Sequence, residues 1–260
     1  MKILTCNIRC SCDGDGENGW SYRDAYCAEV IRAQTPDIIC FQEMWEPQAD
    51  YLTPAFPAFH AFGMVDEPTG RNPVNTIFYH ADSFHLVSAG GYWLSERPHV
   101  PGSRSWESGY IRLANWVRLA DKATGAEFRV VNTHLDVSSQ AAREHQARLL
   151  VEDAAAYPVA FPQILTGDMN CDSTNAAIKA IESGGWRDTY AAIHGRDDPG
   201  PTFHAFQGPA FKRESPGKID WIFSRGTVAV VDAGIIRDST GNRYPSDHYF
   251  VSATLAIGDS

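Results

Sequence analysis

The chain has no run of basic residues of the kind that tracks a nucleic-acid backbone. It has no signal-like apolar core at its start and no apolar stretch of the roughly 20 residues that a membrane-spanning helix needs. Paired CxxC spacing for zinc is missing, and the cysteines follow no disulfide framework. Repeats, low-complexity tracts and a flexible linker are absent too, so residues 1–260 read as a single domain. These absences favour a cytoplasmic setting without stable membrane insertion or an obligate protein partner; a secreted protein with its leader removed stays an open alternative.

What is present is globular: 43% hydrophobic and 21% charged residues. Asp and Glu outnumber Lys and Arg by 32 to 22, a formal net charge of −10. An acidic surface repels polyphosphate at long range, which disfavours extended nucleic acid without excluding it. A bound divalent cation would reverse that sign locally. The six cysteines (Cys6, Cys10, Cys12, Cys27, Cys40, Cys171) are scattered, as free structural thiols are in a reducing compartment. The Cys10-Ser11-Cys12 cluster fits either free thiols or a soft-metal ligand pair.

Apolar runs and Pro/Gly punctuation predict strands near 1–8, 37–42, 59–64, 75–80, 84–94, 110–120, 126–133, 163–168, 218–224, 227–236 and 248–256. Helices are expected over 22–33, stopped by Thr35-Pro36, over 140–156 and over 174–183. The second carries Ala147, Leu150, Val151 and Ala154 at three- and four-residue spacing behind a serine cap. Residues 195–217 form a long polar loop of the functional kind. Strand meanders with a few helices predict an α/β (α+β) sandwich, two packed sheets with helices outside.

Six of the strands end in acid, amide or imidazole groups. They lead into Asn7, Gln42-Glu43, Asn132-Thr133-His134, Asp168-Met169-Asn170, Asp220 and Asp247-His248. Buried carboxylates cost stability unless a cation or partner meets them, so six such ends suggest one shared pocket. Glu43, Asp168, Asn170 and Asp247 are hard oxygen donors that suit Mg²⁺ or Mn²⁺ better than zinc. Asp168 and Asn170, two apart, face one side of an extended segment. Asp220 and His248 can form a unit in which the carboxylate fixes the imidazole tautomer and raises its pKa. Metal, imidazolium and activated water together describe hydrolysis of a phosphate ester.

In order and spacing, Asn7, Gln42-Glu43, Asn132-Thr133-His134-Leu135, Gly167-Asp168-Met169-Asn170, Ile219-Asp220-Trp221-Ile222 and Ser246-Asp247-His248 resemble the motifs of the endonuclease/exonuclease/phosphatase superfamily. That superfamily includes DNase I-like nucleases, abasic-site endonucleases, sphingomyelinases, inositol-polyphosphate 5-phosphatases and deadenylases. The resemblance spans essentially the whole chain. It implies a four-layer DNase I-like sandwich with Glu43 as principal ligand for Mg²⁺ or Mn²⁺, supported by Asn7 and Asp247. It further implies that Asp168 activates water, Asn170 holds a phosphate oxygen, and Asp220 orients His248 against the scissile phosphate. His134 is then a second phosphate contact or the leaving-group acid. Tyr92-Trp93-Leu94-Ser95-Glu96, Ser105-Trp106 and Thr202-Phe203-His204 are similar to a compact bacterial subgroup of metal-dependent hydrolases. One departure stands out: DNase-like members place a glutamate near 73–78 to pair the histidine equivalent to His134, and this chain has Pro73-Val74-Asn75.

Around this set, Asp136 is either a site residue or a turn residue before a helix. Arg112 either binds an anionic substrate group or belongs to its strand, and Trp116 reads as core. His204 is either a phosphate contact or a solvated loop histidine. Trp20 and Arg23 open a helix and read as packing. His60, His80, His85, His99, His145 and His194 read as structural or surface residues. The expected function is a Mg²⁺/Mn²⁺-dependent phosphoesterase, a diesterase acting on a small molecule or lipid ahead of nucleic acid. A nuclease and a catalytically silent binding module of the same fold are the alternatives.

Overall fold

The computed structural model describes residues 1–65, 70–212 and 217–258. In chain order they form β1 (Lys2–Asn7), α1 (Trp20–Ala33), β2 (Ile38–Gln42), α2 (Glu46–Ala55), β3 (Phe59–Phe62), β4 (Ile77–His80), β5 (Phe84–Trp93) and β6 (Leu113–Asp121). Next come β7 (Glu127–His134), α3 (Gln140–Ala155), β8 (Gln163–Asp168), α4 (Ala176–Ser183), β9 (Arg187–Asp188), α5 (Thr189–His194), β10 (Asp220–Arg225), β11 (Val228–Ile236) and β12 (Phe250–Ile257). Two six-stranded sheets result, ordered β11-β12-β1-β2-β4-β3 and β5-β6-β7-β8-β10-β9. Each is mixed: β1 runs parallel to β2, β7 runs parallel to β8, and the other pairs are antiparallel.

Successive residues of a strand point to opposite faces, and here both faces are covered, which is why the strands read as unbroken apolar runs. In β1, Ile3 joins the core between the sheets with Ile38, Val130, Ile164, Ile222 and Val251. Its neighbour Leu4 packs outward with Ile39 and Phe41 against Ala28 and Ile31 of α1 and Leu52 of α2. On the far side, Val131, Leu165 and Phe223 pack against Leu150 of α3 and Ile178 of α4. The four layers are thus helices, sheet, sheet, helices, the expected DNase I-like α/β sandwich.

Differences from the expected elements have local causes. The helix α2 was not foreseen because Pro47 and Pro54 argue against it. Pro47 falls in the first helical turn, where its missing N–H is not needed, and Gln48 Oε1 accepts the Trp45 N–H. The short α5 starts at the side chain of Asp188, which accepts the Tyr190 N–H. Strand β6 begins at Leu113, three residues after the expected start, because 110–112 turn aside to the rim of a cleft. Part of the long polar loop forms a single helical turn at Gly208–Ala210, and its residues 213–216 lie outside the described residues. No helix among the described residues is long and apolar enough to cross a membrane.

Candidate active site

The topology brings all six polar strand ends to one edge. The parallel pairs β1/β2 and β7/β8 finish there, and the antiparallel β10 and β12 start there. In the second sheet Asp168 is flanked in register by His134 on one side and Asp220 on the other. Gly167 allows that spacing: at φ +148° a Cβ would lie 2.1 Å from the Thr133 carbonyl oxygen, so no other residue fits.

Side chains then join the two sheets. Asn7 Nδ2 donates to Glu43 Oε1 at 3.1 Å and to Asp168 Oδ2 at 3.0 Å. Beneath them Gln42 Nε2 donates to Asn132 Oδ1 and to Thr5 Oγ1, and Asn132 Nδ2 donates to the Phe41 carbonyl. Ser246 Oγ donates to the Asn7 carbonyl at 2.7 Å, tying the segment before β12 to the end of β1. Arg23, expected only to pack, sends its buried guanidinium to the carbonyls of Ile8, Arg9, Asn18 and Pro245. It fixes the two loops that present Glu43's neighbours and Asp247.

His248 Nδ1 donates to Asp220 Oδ2 at 2.8 Å, as the sequence predicts. Burial alone would favour neutral imidazole, but Asp220 overrides it, with help from Asp247 and Asp168, and raises His248 to about 10. His248 is therefore an imidazolium at neutral pH, with Nε2 3.8 Å from Asp168 Oδ2 and 4.0 Å from Asp247 Oδ1. Burial, then repulsion from Asp220, pushes the Asp168 carboxyl up to about 7, against the pull of His248 and the N–H donors of Asn170 and Asn7. Burial also raises Asp247. It works the same way on Glu43, yet the Cys10 N–H at 2.9 Å, the His248 cation and the Asn7 amide favour the charged form, and that carboxyl lies below its usual range.

His134 Nε2 lies 3.4 Å from Asp168 Oδ2, longer than a good hydrogen bond. Burial first, then the Arg112 cation, hold it well below the usual imidazole range, so it is neutral. Asn170 Nδ2 donates to the Leu135 carbonyl at 2.9 Å, which fixes the amide orientation, and lies 2.8 Å from His134 Nε2. His134 Nε2 is thereby the acceptor and Nδ1 carries the proton. The same geometry spends both Asn170 N–H groups inside the protein, so the expected phosphate contact from that amide is not in place. Asn7 is likewise a bridge between carboxylates; its Oδ1 accepts the Arg9 N–H at 3.0 Å.

Two candidates are placed elsewhere. Asp136 is fully buried: Oδ1 accepts the N–H groups of Ser138 and Ser139, and Oδ2 accepts the Ser108 hydroxyl and the Tyr110 N–H. It shapes the turn before α3 and the 108–110 rim, and it has no oxygen left for substrate. His204 is neither phosphate contact nor solvated. It is buried against Tyr244 and Tyr249, its Nδ1 accepts the Gly208 N–H, and burial first, then His248, hold it at about 4. Arg112 does reach the cleft. Its guanidinium lies 5.2 Å from the Tyr110 ring, and its Nε has no partner among the described residues.

The cleft has a volume of about 630 Å³ and is lined by Glu43, His134, Asp168, Asn170, Asp247, His248 and Arg112. Arg9, Cys10, Trp45, Val74, Arg104, Tyr110 and Val137 are among the other residues that line it. Sequence reasoning missed most of this second group, since its members sit on irregular segments with no pattern to mark them. Donor atoms of Asp168, Asp220 and His248 all lie within 4.8 Å of one another. The short Asp220–His248 bond engages two of them with each other, and the carboxylates of Glu43, Asp168 and Asp247 face the same cleft.

A two-sheet α/β sandwich with this edge constellation defines the DNase I-like class. Residues 4–248 match the Endonuclease/Exonuclease/phosphatase family, and the chain belongs to it. Among solved structures it is similar to an endonuclease/exonuclease/phosphatase from Bacteroides vulgatus, at 28% identity and a TM-score of 0.89, with 99% of this chain and 98% of that chain covered. It is also similar to a mannosyl-6-phosphatase from Bacteroides thetaiotaomicron, at 29% identity and a TM-score of 0.89, covering 99% and 100%. A curated relative is the CCR4-Not complex 3'-5'-exoribonuclease subunit Ccr4 of Emericella nidulans, 26% identical over 156 residues. That match covers 52% of this chain, which spans only 23% of the relative.

Proposed function

We propose that this chain is a divalent-metal-dependent phosphoesterase acting on a small phosphate ester. The observation that carries the reading is the gathering of Glu43, Asp168, Asp247, the Asp220–His248 pair and Arg112 around one cleft. The donors fit a hard cation. Burial raises Asp168 and Asp247, with repulsion from Asp220 adding to the first and from Glu43 to the second. Glu43 and Asp247 would hold Mg²⁺ or Mn²⁺, with Asp168 adjoining and Asn7 steering the carboxylates. Such an ion, when bound, supplies Lewis acidity toward a phosphoryl oxygen.

The chain's own groups complete the chemistry. Asp168, poised near neutrality, accepts a proton from the attacking water. The His248 imidazolium, kept charged by Asp220, donates a hydrogen bond to a phosphoryl oxygen as charge builds there. Arg112, whose buried Nε has no partner among the described residues, binds a non-bridging oxygen. His134, an acceptor at Nε2, orients Asn170 and is not the leaving-group acid.

The cleft is the size of small-ligand sites, which run from about 300 to 1,000 Å³. Trp45, Val74, Tyr110 and Val137 give it an aromatic and apolar wall beside Arg104 and Arg112. A small diester remains the primary reading of the substrate. The likeness to a mannosyl-6-phosphatase supports a second one, a sugar phosphate monoester. Initial rates on bis-p-nitrophenyl phosphate, p-nitrophenyl phosphate, hexose 6-phosphates and an RNA oligonucleotide, with Mg²⁺, Mn²⁺ and chelator, test all of these. Turnover of no phosphate ester, or turnover unaffected by chelation, overturns the proposal; preferential cleavage of RNA replaces the substrate class with nucleic acid.

A further inference from the structure

Cys10 and Cys12 stand apart from the other four cysteines. Cys6, Cys27, Cys40 and Cys171 are buried in the cores, whereas Cys10 and Cys12 are partly exposed beside the cleft, and Cys10 lines it. Their Sγ atoms are 3.1 Å apart, against about 2.05 Å in a disulfide. One residue separates them, and the backbone between is already curled, with the Cys12 N–H donating to the Cys10 carbonyl at 2.9 Å.

That segment also holds the cation site. The Cys10 N–H donates to Glu43 Oε2 at 2.9 Å, and the Ser11 N–H donates to Gln48 Oε1 at 3.2 Å. Arg9, at a positive φ of 52°, places its N–H on Asn7 Oδ1 and its guanidinium on Asp15. Its Nε is 3.9 Å from Asp247 Oδ2. Closing the two sulfurs into a ring spanning one residue must rotate the peptide units of residues 10–12. The ring takes in the Ser11 and Cys12 N–H groups, and the Cys10 N–H on Glu43 sits just outside it, on the Cα that carries one of the sulfurs.

We propose that Cys10 and Cys12 form a redox modification site, in which an intramolecular disulfide displaces the Cys10 N–H from Glu43 and weakens cation binding. The oxidant is a low-molecular-weight disulfide. One thiolate attacks it and expels one thiolate of the reagent, leaving a mixed disulfide. The second cysteine thiolate then attacks the protein sulfur and expels the other. Two protein thiols are oxidised, one reagent disulfide becomes two thiols, and the two protons pass to the expelled thiolates. A ring this tight is of the labile kind that thiols reduce readily. The inference rests on the proposed cation site, since the consequence it predicts is lost affinity there.

The test uses the full-length reduced protein with oxidised glutathione, read by intact mass, by peptide mapping and by calorimetric titration of Mn²⁺. The expected product has lost two hydrogens, maps to Cys10–Cys12, and binds Mn²⁺ about tenfold or more weakly, as loss of a group supporting a metal ligand does. Dithiothreitol restores affinity. Cys12→Ser keeps Mn²⁺ affinity in both conditions. A stable glutathione adduct, no reaction, or a Cys10–Cys12 disulfide with unchanged Mn²⁺ affinity overturns the proposal. So does an equal loss of affinity in Cys12→Ser. Should that variant not fold, the mapped disulfide and the two titrations of the unmodified chain decide alone. A reduced protein that binds no Mn²⁺ would instead overturn the proposed function, and the coupling with it.

Discussion

Gln42 Nε2 lies 2.7 Å from Asn132 Oδ1, a side-chain hydrogen bond that crosses from one sheet to the other inside the core. Gln42 precedes Glu43, and Asn132 lies two residues before His134. The bond therefore sets the spacing of the two halves of the cleft. Both residues are fully buried, where a lost partner costs more than the bond itself is worth.

Asn132→Ala strips partners from Gln42 and the Phe41 carbonyl together. It is expected to destabilise the fold by about 1–3 kcal/mol. Urea denaturation measures this, and a loss below about 0.5 kcal/mol would place the pair among ordinary surface effects.

Asp168→Asn removes the proposed base. Phosphoester hydrolysis should fall by about 10²–10⁴-fold. Metal-free stability should stay level or rise, because burial and Asp220 already oppose the charge on Asp168. A variant that hydrolyses at the parental rate would remove Asp168 from the mechanism.

His248 links stability to pH. Its folded-state pKa, about 10, lies above the ordinary 6.5, so the folded chain holds its proton more tightly than the unfolded chain. The resulting stabilisation is complete below 6.5 and is lost progressively as pH rises to about 10. His248→Gln should flatten that decline in denaturation curves of the metal-free protein. An unchanged slope in the variant would assign the decline to other groups.

Arg112→Ala should lower kcat/KM for an anionic ester by about tenfold or more, and Arg112→Lys should restore only part of it, lacking the planar fork. Asp136→Ala should act on the same rim from a distance, raising KM more than it lowers kcat. Steady-state kinetics separate the two. Equal falls in kcat and kcat/KM for Asp136→Ala, with KM unmoved, would contradict the positioning role.

Mn²⁺ should raise the melting temperature, and above its Kd the rise should grow with the logarithm of its concentration, since a ligand that binds only the folded chain stabilises it. Glu43→Gln should remove most of the rise. A full rise in that variant would shift the site away from Glu43.

Much of this was legible in the chain, for a physical reason. Strands buried on both faces must be apolar throughout, so Asn7, Glu43, Asp168, Asp220 and His248 stand out at their ends as polar groups the core could not hold elsewhere. Asp136 and His204 misled because an acid or imidazole near a strand end looks the same whether it faces a cleft or a backbone turn. Only the positions of Ser138, Ser139 and Tyr110, or of Tyr244 and Tyr249, tell them apart. The rim residues Arg9, Cys10, Trp45 and Tyr110 were illegible because irregular segments carry no period. The orientation of Asn170 depends on a carbonyl, that of Leu135, which no pattern of side chains encodes.

The hydroxyl of Ser246 on the Asn7 carbonyl spans 239 positions of sequence. A contact of that range forms late, after the intervening chain has been ordered, because its closure entropy must be met first. The cleft edge is thus closed only when the segments around Asn7 and Ser246 have met, and a chain cut between them would hold its carboxylates in place without that tie.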